Sequence, residues 1–278
     1  MTDSNTVKTP AKSKYKKYLK SFTSVLYPVL FGLFIFALWQ TGLLNKLLHT
    51  DSFTLPLPSR IGGIISENIL KILLNIQATV IVSVSGLVLG SLLGYLIAML
   101  ATFFPKWGAG GLNIVSAFNA VPIVALAPVI TNWTKDFSKD ANIRSMLAKI
   151  LVVMVVCTAS MSVNAFRGLT ELQPFSEDLM KTYAAGKAAT FVKLRLPNSV
   201  PYIFIALKVS VPASVISALV SEYFAEYIIG VGRQIRENII LAQYATAWAY
   251  ISVACLIGII MYAVLMVCEG ILLRSRRR

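Results

Sequence analysis

Residues 76–103 read IQATVIVSVSGLVLGSLLGYLIAMLATF, a run without one charged side chain. A bilayer core of about 30 Å takes roughly 20 mostly apolar residues in helical form, so this stretch is long enough to cross one. Gly86, Gly90 and Gly94, followed by Ala98, recur at every fourth residue. That spacing places them on one helix face and lets a neighbouring backbone approach closely, as small-xxx-small interfaces do. Working outward, five further segments qualify as spans, at about 22–41, 110–132, 147–166, 201–224 and 246–272. The expected fold is therefore all-α, a polytopic membrane protein with six transmembrane helices. The segment 61–75, IGGIISENILKILLN, is apolar at helical spacing but short and charged, and reads as an amphipathic surface helix.

Composition agrees with this class. Of 278 residues 56% are apolar and 14% charged, with mean hydropathy +0.72 and a net charge of +14. Soluble domains carry about 25% charge. High hydrophobicity excludes intrinsic disorder, and no basic stretch has a polar globular pattern of the kind that binds nucleic acid. The expected organisation is a basic tail at 1–21, one transmembrane domain over 22–272, and a second basic tail at 273–278. Lys8, Lys12, Lys14, Lys16, Lys17 and Lys20 precede the first apolar run, which is long and lacks a small-residue cleavage site. It reads as an uncleaved first helix rather than a signal peptide. With this tail in the cytoplasm, seventeen of the 26 Lys and Arg residues fall inside and nine outside. That is the bias expected of a multi-pass membrane protein with both termini cytoplasmic.

Metal and covalent chemistry find little footing. Cys157, Cys255 and Cys268 lie in apolar runs without metal-ligand spacing, and His49 is the one histidine. No metal site, cofactor or catalytic constellation is expected. No G-x-x-x-x-G-K-[ST] occurs either, so the chain does not cradle nucleotide phosphates itself. The Gly230-Val231-Gly232 triplet is too short for that purpose and reads as a turn.

The sizeable inner loop, 167–200, lies within FRGLTELQPFSEDLMKTYAAGKAATFVKLRLPNSVP (166–201). Ser176 is a candidate N-cap, and Glu177 and Asp178 suit a first turn, so a helix is expected from about residue 177. Continued through Met180–Ala189, it would present a small-residue surface able to seat in another protein's groove.

This loop resembles the "EAA" coupling segment of ABC-importer permeases, which ends in a small-residue turn followed by apolar–x–Leu–Pro. With Leu194-Arg195-Leu196-Pro197 as that ending, the family's usual glycine falls on Ala184, and its Glu-Ala-Ala on Asp178, Leu179 and Met180. Gly186, two residues on, is expected to take over the flexible position. Further ordered matches look like the nitrate, sulfonate and taurine permease group over roughly 55–272. They are Leu57-Pro58-Ser59, the run Ala120-Val121-Pro122-Ile123-Val124-Ala125-Leu126-Ala127-Pro128, Asn164 with Arg167-Gly168-Leu169, and Ser221-Glu222 with Gly230-Val231-Gly232. The 131–148 loop looks longer than usual for that group.

The resemblance implies a type I importer permease fold and a permease subunit that is not an enzyme. It also implies an ATPase-coupling set of Asp178, Thr182, Tyr183, Ala184, Ala185, Gly186, Lys187 and Pro197. Its implied partners are a cytoplasmic ABC ATPase dimer, a second permease subunit as a homodimer, an extracytoplasmic solute-binding protein and the lipid bilayer. The solute implied is small, of the sulfonate, nitrate or taurine type or a vitamin or pyrimidine precursor. The 195–208 stretch looks nearest to members that handle the heterocyclic precursors.

Polar residues at membrane depth are functional candidates. Asn119, Pro122, Asn164 and Glu222 are candidates for the translocation pathway. For Asn119 and Asn164 interhelical bonding stands equally open. For Glu222, which matches the family's acid and shares a helix face with Glu226, the other roles are an interhelical hydrogen bond and an outer-interface position. Lys208 is placed to snorkel to the inner interface. Pro122, Pro128 and Pro212 remove helical hydrogen bonds, which favours a cavity between the third, fourth and fifth spans. The alternative function is an ion- or proton-coupled secondary transporter, a class that commonly shows paired inverted repeats. No convincing repeat relates the two halves, and Glu222, Glu226 and Glu269 are its candidate proton carriers. A membrane-embedded enzyme lacks any supporting constellation.

Overall fold

The computed structural model describes residues 26–117, 120–225 and 229–274, and all secondary structure in them is helical. Two compact units are present, Met1–Ile64 and Ile65–Arg278. In the first, α1 (Leu26–Gln40) is apolar and exposes Leu30, Phe31, Phe34 and Phe36. Gly42, at φ 74°, turns the chain into the short α2 (Leu43–Leu47). The buried Asn45 amide donates to the carbonyls of Asp51 and Leu55, and Gln40 exchanges two hydrogen bonds with Ser59. The basic tail at 1–21 and the start of the expected first span lie outside the described residues, as does most of the 273–278 tail. The amphipathic segment divides in two. Its front half belongs to α3 (Pro58–Glu67), while residues from Ile69 open α4 (Ile69–Phe103). The expectation of a separate surface helix over 61–75 is corrected accordingly.

The second unit is built on four long helices: α4, α7 (Ala141–Thr170), α10 (Leu196–Phe224) and α12 (Tyr244–Arg274). Among the described residues, four helical stretches are long and apolar enough to cross a membrane: Ile69–Phe103, Ala141–Thr170, Lys187–Phe224 and Tyr244–Leu273. Length and composition alone thus return four spans where six are expected. The expected third span is discontinuous, with α5 at Pro105–Ala117 and α6 at Ile123–Trp133. Pro122 has no N–H to donate and biases Val121 towards extended backbone, which accounts for a break at this point. Pro128, Pro201 and Pro212 are instead carried inside helices.

Direction can be read from contacts. Gly86 faces Val153, Gly90 faces Met154 and Cys157, and Gly94 faces Thr158 and Met161, so α4 and α7 run parallel. Two parallel neighbours require the intervening chain to return the full length, and α5 with α6 must do so. Helix α10 is antiparallel to α7, since Gly168 packs on Ser199 and Tyr202 while the Cys157 thiol reaches the Ser210 carbonyl at 3.9 Å. Helix α12 runs parallel to α4, pairing Tyr250 with Asn75 and Met261 with Ser83.

Close packing on α10 comes from a serine stripe. Ser210, Ser214, Ser217 and Ser221 are fully buried or nearly so. The last three hydroxyls donate to the carbonyls of Val211, Ala213 and Ala218 on their own helix at 2.7–2.8 Å. Small side chains that bond to their own helix leave a surface another backbone can approach. The long loop expected at 131–148 is also corrected: a 3-10 turn (Thr134–Asp136) leads quickly to α7, whose first N–H groups Asp140 caps through Asn142 at 2.8 Å.

Candidate functional site

Two polar assemblies stand at opposite ends of the second unit. At one end, the expected coupling loop folds as α8 (Ser176–Thr182), a turn, α9 (Lys187–Thr190) and a π-helical stretch (Phe191–Arg195) that runs into α10. Helix α8 starts one residue earlier than expected and ends well before Ala189. Ser176 is not its cap; Phe175 holds that position at φ 64°, and the Ser176 hydroxyl donates back to the Gln173 carbonyl at 2.6 Å. The turn after Thr182 has Ala184 at φ 50°, in left-handed backbone where glycine costs least. This is the residue onto which the family's usual glycine falls. Gly186 has φ −67° and does not take over that role.

Asp178, Thr182, Tyr183, Ala184, Gly186 and Lys187 are exposed, and Ala185 is half-buried. Phe175, Leu179 and Tyr183 present a bare apolar surface, with Tyr183 76% exposed. Asp178 accepts a hydrogen bond from Lys181 at 3.0 Å, and that bond holds the Lys181 ammonium above the ordinary lysine value. Behind this surface Arg195 forms an ion pair with Glu177 and donates to the Leu169 carbonyl at 2.8 Å. The Asn198 amide donates to the Gly168 and Glu171 carbonyls at the end of α7. The segment is therefore fastened to both α7 and α10. Pro197 sits in the first turn of α10, where its missing N–H is least costly, and the π-helical stretch directly precedes it. A cleft of about 530 Å³ lies between α8 and the ends of α4 and α7, and a second of about 360 Å³ lies between α8, α9 and Phe103.

At the other end, Glu222 is fully buried. The Thr79 hydroxyl lies 2.9 Å from both of its carboxylate oxygens, and Gly232 N–H donates to Oε2 at 2.8 Å. The Asn75 side-chain oxygen accepts from Gly230 N–H at 2.9 Å, and the Thr79 hydroxyl accepts from Val231 N–H at 2.9 Å. Gly230 has φ 134°, and a Cβ there would lie 2.5 Å from the Glu222 carboxyl carbon. The triplet, expected as a turn, is instead the start of α11 (Val231–Ile240), with Gly230 at its cap and Val231 and Gly232 in its first turn. Gly230 admits the carboxylate against the backbone, and Gly232 admits the α10 backbone, since a Cβ there would run into the Leu219 carbonyl oxygen. Lys149, 6% exposed on α7, donates to the Ile229 carbonyl at 3.2 Å. One carboxylate so joins α4, α10 and the start of α11. In this conformation Glu222 serves interhelical bonding.

The arrangement is one of long apolar helices with an exposed segment fastened to two of them. Residues 86–278 match the family described as the binding-protein-dependent transport system inner membrane component. The chain belongs to that family. It is accordingly a permease of an ABC importer, a multi-pass inner-membrane protein. A formylaminopyrimidine transport permease protein, ThiX, from Halalkalibacterium halodurans is 26% identical over 263 residues, spanning 94% of this chain and all of that protein. A probable ABC transporter permease protein from Haemophilus influenzae is 27% identical over 147 residues, 53% of this chain and 57% of its own length.

The other sequence candidates fall elsewhere in this permease. Asn164 is half-buried and donates to the Ser160 carbonyl of its own helix at 2.9 Å. Pro122 is exposed at the start of α6. Asn119 and Glu226 lie outside the described residues. Lys208, expected to snorkel, pairs with Glu269 across α10 and α12 at 2.8 Å. Sequence reasoning missed Thr79, Asn75 and Lys149 as partners in the Glu222 assembly. Thr79 carried no signal, being a small hydroxyl in an apolar run, but the lysine inside a span was a signal of the kind already used for Lys208.

Proposed function

We propose that this permease forms, with a second copy of itself, the membrane pathway of an ATP-driven importer for a small heterocyclic solute of the pyrimidine-precursor type. A solute-binding protein delivers the solute on the outer side, and a cytoplasmic ATPase dimer docks on the 176–190 segment. The observation that carries this reading is the exposed surface of Phe175, Leu179 and Tyr183 on a segment tied through Arg195 and Asn198 to α7 and α10. A push on α8 is transmitted to two spanning helices at once, and ATP binding then biases one arrangement of the bundle over the other. Both termini are placed in the cytoplasm, which is the side that collects most of the Lys and Arg residues. The full-length alignment with ThiX, whose name assigns it formylaminopyrimidine transport, supports the solute class.

The test is ATP-dependent uptake of formylaminopyrimidine into vesicles that hold the permease with its ATPase and binding protein. Ala184→Asp and Gly186→Asp are expected to abolish uptake while membrane insertion is unchanged. Uptake that survives both changes refutes the coupling assignment. Uptake lost to a proton uncoupler at constant ATP shows a secondary transporter instead.

A further inference from the structure

The Gly86, Gly90 and Gly94 stripe holds α4 and α7 at backbone contact along those residues. Ahead of Gly86 the stripe stops: the preceding positions at the same spacing are Val82 and Ala78. Towards the Ile69 and Ala141 ends a cavity of about 340 Å³ lies between the two helices. Its floor is apolar, with Ile81 and Val82 among the lining residues. From α7 it is lined by Asn142, Ser145 and Lys149, at i, i+3 and i+7 and so on one helical face, and α4 adds Gln77.

Two of these groups are prepared for a ligand. Ser145 is 6% exposed; its hydroxyl has no hydrogen-bond partner among the described residues and is closed to solvent, so a χ1 turn must bring it to the cavity. Lys149 is also 6% exposed; its one hydrogen bond among the described residues is to the Ile229 carbonyl, which leaves further N–H donors. A buried hydroxyl left unpaired is costly, and a site that fills it recovers that cost. A mostly apolar cavity with a few convergent polar groups, in this size range, is the usual form of a small-molecule site. The two donors call for an acceptor, a carboxylate or carbonyl oxygen or a ring nitrogen, and the apolar lining calls for a poorly hydrated body.

The geometry points to this cavity as a solute-binding subsite of the permease, in which Lys149 and Ser145 hydrogen-bond an acceptor group of a small ring-bearing solute. The assignment deepens the importer reading above and rests on it. It adds a residue-level site inside the permease, distinct from whatever selectivity the binding protein supplies. It also gives Lys149 a role that the Glu222 assembly does not require, since Thr79 and Gly232 already occupy that carboxylate.

The test uses the reconstituted complex with formylaminopyrimidine as the probe. Ser145→Ala and Lys149→Gln are expected to raise the KM for uptake about tenfold, with ATPase activity stimulated by the unloaded binding protein kept in both and the thermal midpoint of the complex kept in Ser145→Ala. Ala78→Phe, which fills the cavity from α4, is expected to do the same. In a background with Cys157, Cys255 and Cys268 replaced by alanine, Ser145→Cys is expected to react with a small thiol reagent more slowly when the probe is present. Wild-type uptake combined with unchanged KM in all three variants, or with labelling of Ser145→Cys that ignores the probe, overturns the subsite alone. If the wild-type complex takes up no probe, the solute class proposed above falls, and the subsite falls with it.

Discussion

Replacing Gly90 by alanine measures the cost of the α4–α7 contact. A Cβ at Gly90 would stand 2.5 Å from the Met154 carbonyl oxygen and 2.8 Å from the Cys157 Cβ. To restore an ordinary contact near 3.4 Å, the helices must part locally by about 0.9 Å. The first obstacle is backbone, so no rotamer change relieves it. Parting also stretches the 3.2 Å bond from the Thr158 hydroxyl to the Gly90 carbonyl. Overpacking of this kind costs about 1–3 kcal/mol. Alanine also gains about 1 kcal/mol of helix propensity over glycine, which would hide part of that loss. Gly258 supplies the control, because it lies within α12 and a Cβ there meets nothing within 4 Å. The propensity gain is common to Gly90→Ala and Gly258→Ala, so the difference between them isolates the clash. The assay is unfolding of the purified permease in mixed micelles by added SDS, followed by circular dichroism. Gly90→Ala is expected to unfold about 1–3 kcal/mol more easily than Gly258→Ala. Equal midpoints refute the claim that the glycine stripe sets the helix separation.

Ala184→Gly relieves left-handed backbone at φ 50° and is expected to raise the thermal midpoint by the equivalent of about 0.5–1 kcal/mol, with uptake retained. Glu222→Gln sets an amide N–H₂ against donors from Thr79 and Gly232; it is expected to cost about 1–3 kcal/mol in the same SDS assay, less than Glu222→Ala. Lys208→Glu or Glu269→Lys alone leaves like charges facing each other between α10 and α12 and is expected to destabilise by about 1–3 kcal/mol, while the double exchange recovers most of the loss. For Lys181 the sign follows from a raised value: its pairing with Asp178 is complete below the free lysine value and fades as pH climbs through the raised one. Asp178→Asn is therefore expected to bring the Lys181 titration down towards free lysine, as read by NMR of the labelled side chain.

Much of the architecture was legible because the bilayer imposes a length and an apolarity that a one-dimensional pattern carries. The run 76–103 marked α4, and the four-residue glycine period marked the face that meets α7. The resemblance of the 176–197 segment was legible in its ordered ending at Leu196-Pro197 and in the position of Ala184. Its local geometry was not: Ser176 looked like a cap, but the cap position belongs to Phe175. Gly186 looked flexible, but Ala184 holds the left-handed backbone. Both choices depend on where the end of α7, held by Asn198 and Arg195, sets the entry of the chain. The broken third span shows the same division, since Pro122 announced a lost hydrogen bond but not that the helix would stop there.

Sequence was enough to establish a helical membrane protein and the family it belongs to. These depend on composition, period and motif order, all of which are local along the chain. Tertiary structure alone decided that Glu222 is enclosed by Thr79 and Gly232, and that Lys208 meets Glu269. It also decided that α4 and α7 part beyond Gly86 to leave a cavity at Ser145 and Lys149. Each of these joins residues from 10 to 143 positions apart. A buried charge or hydroxyl is satisfied by whichever group the packing brings within about 3 Å, and no spacing along the chain encodes that meeting.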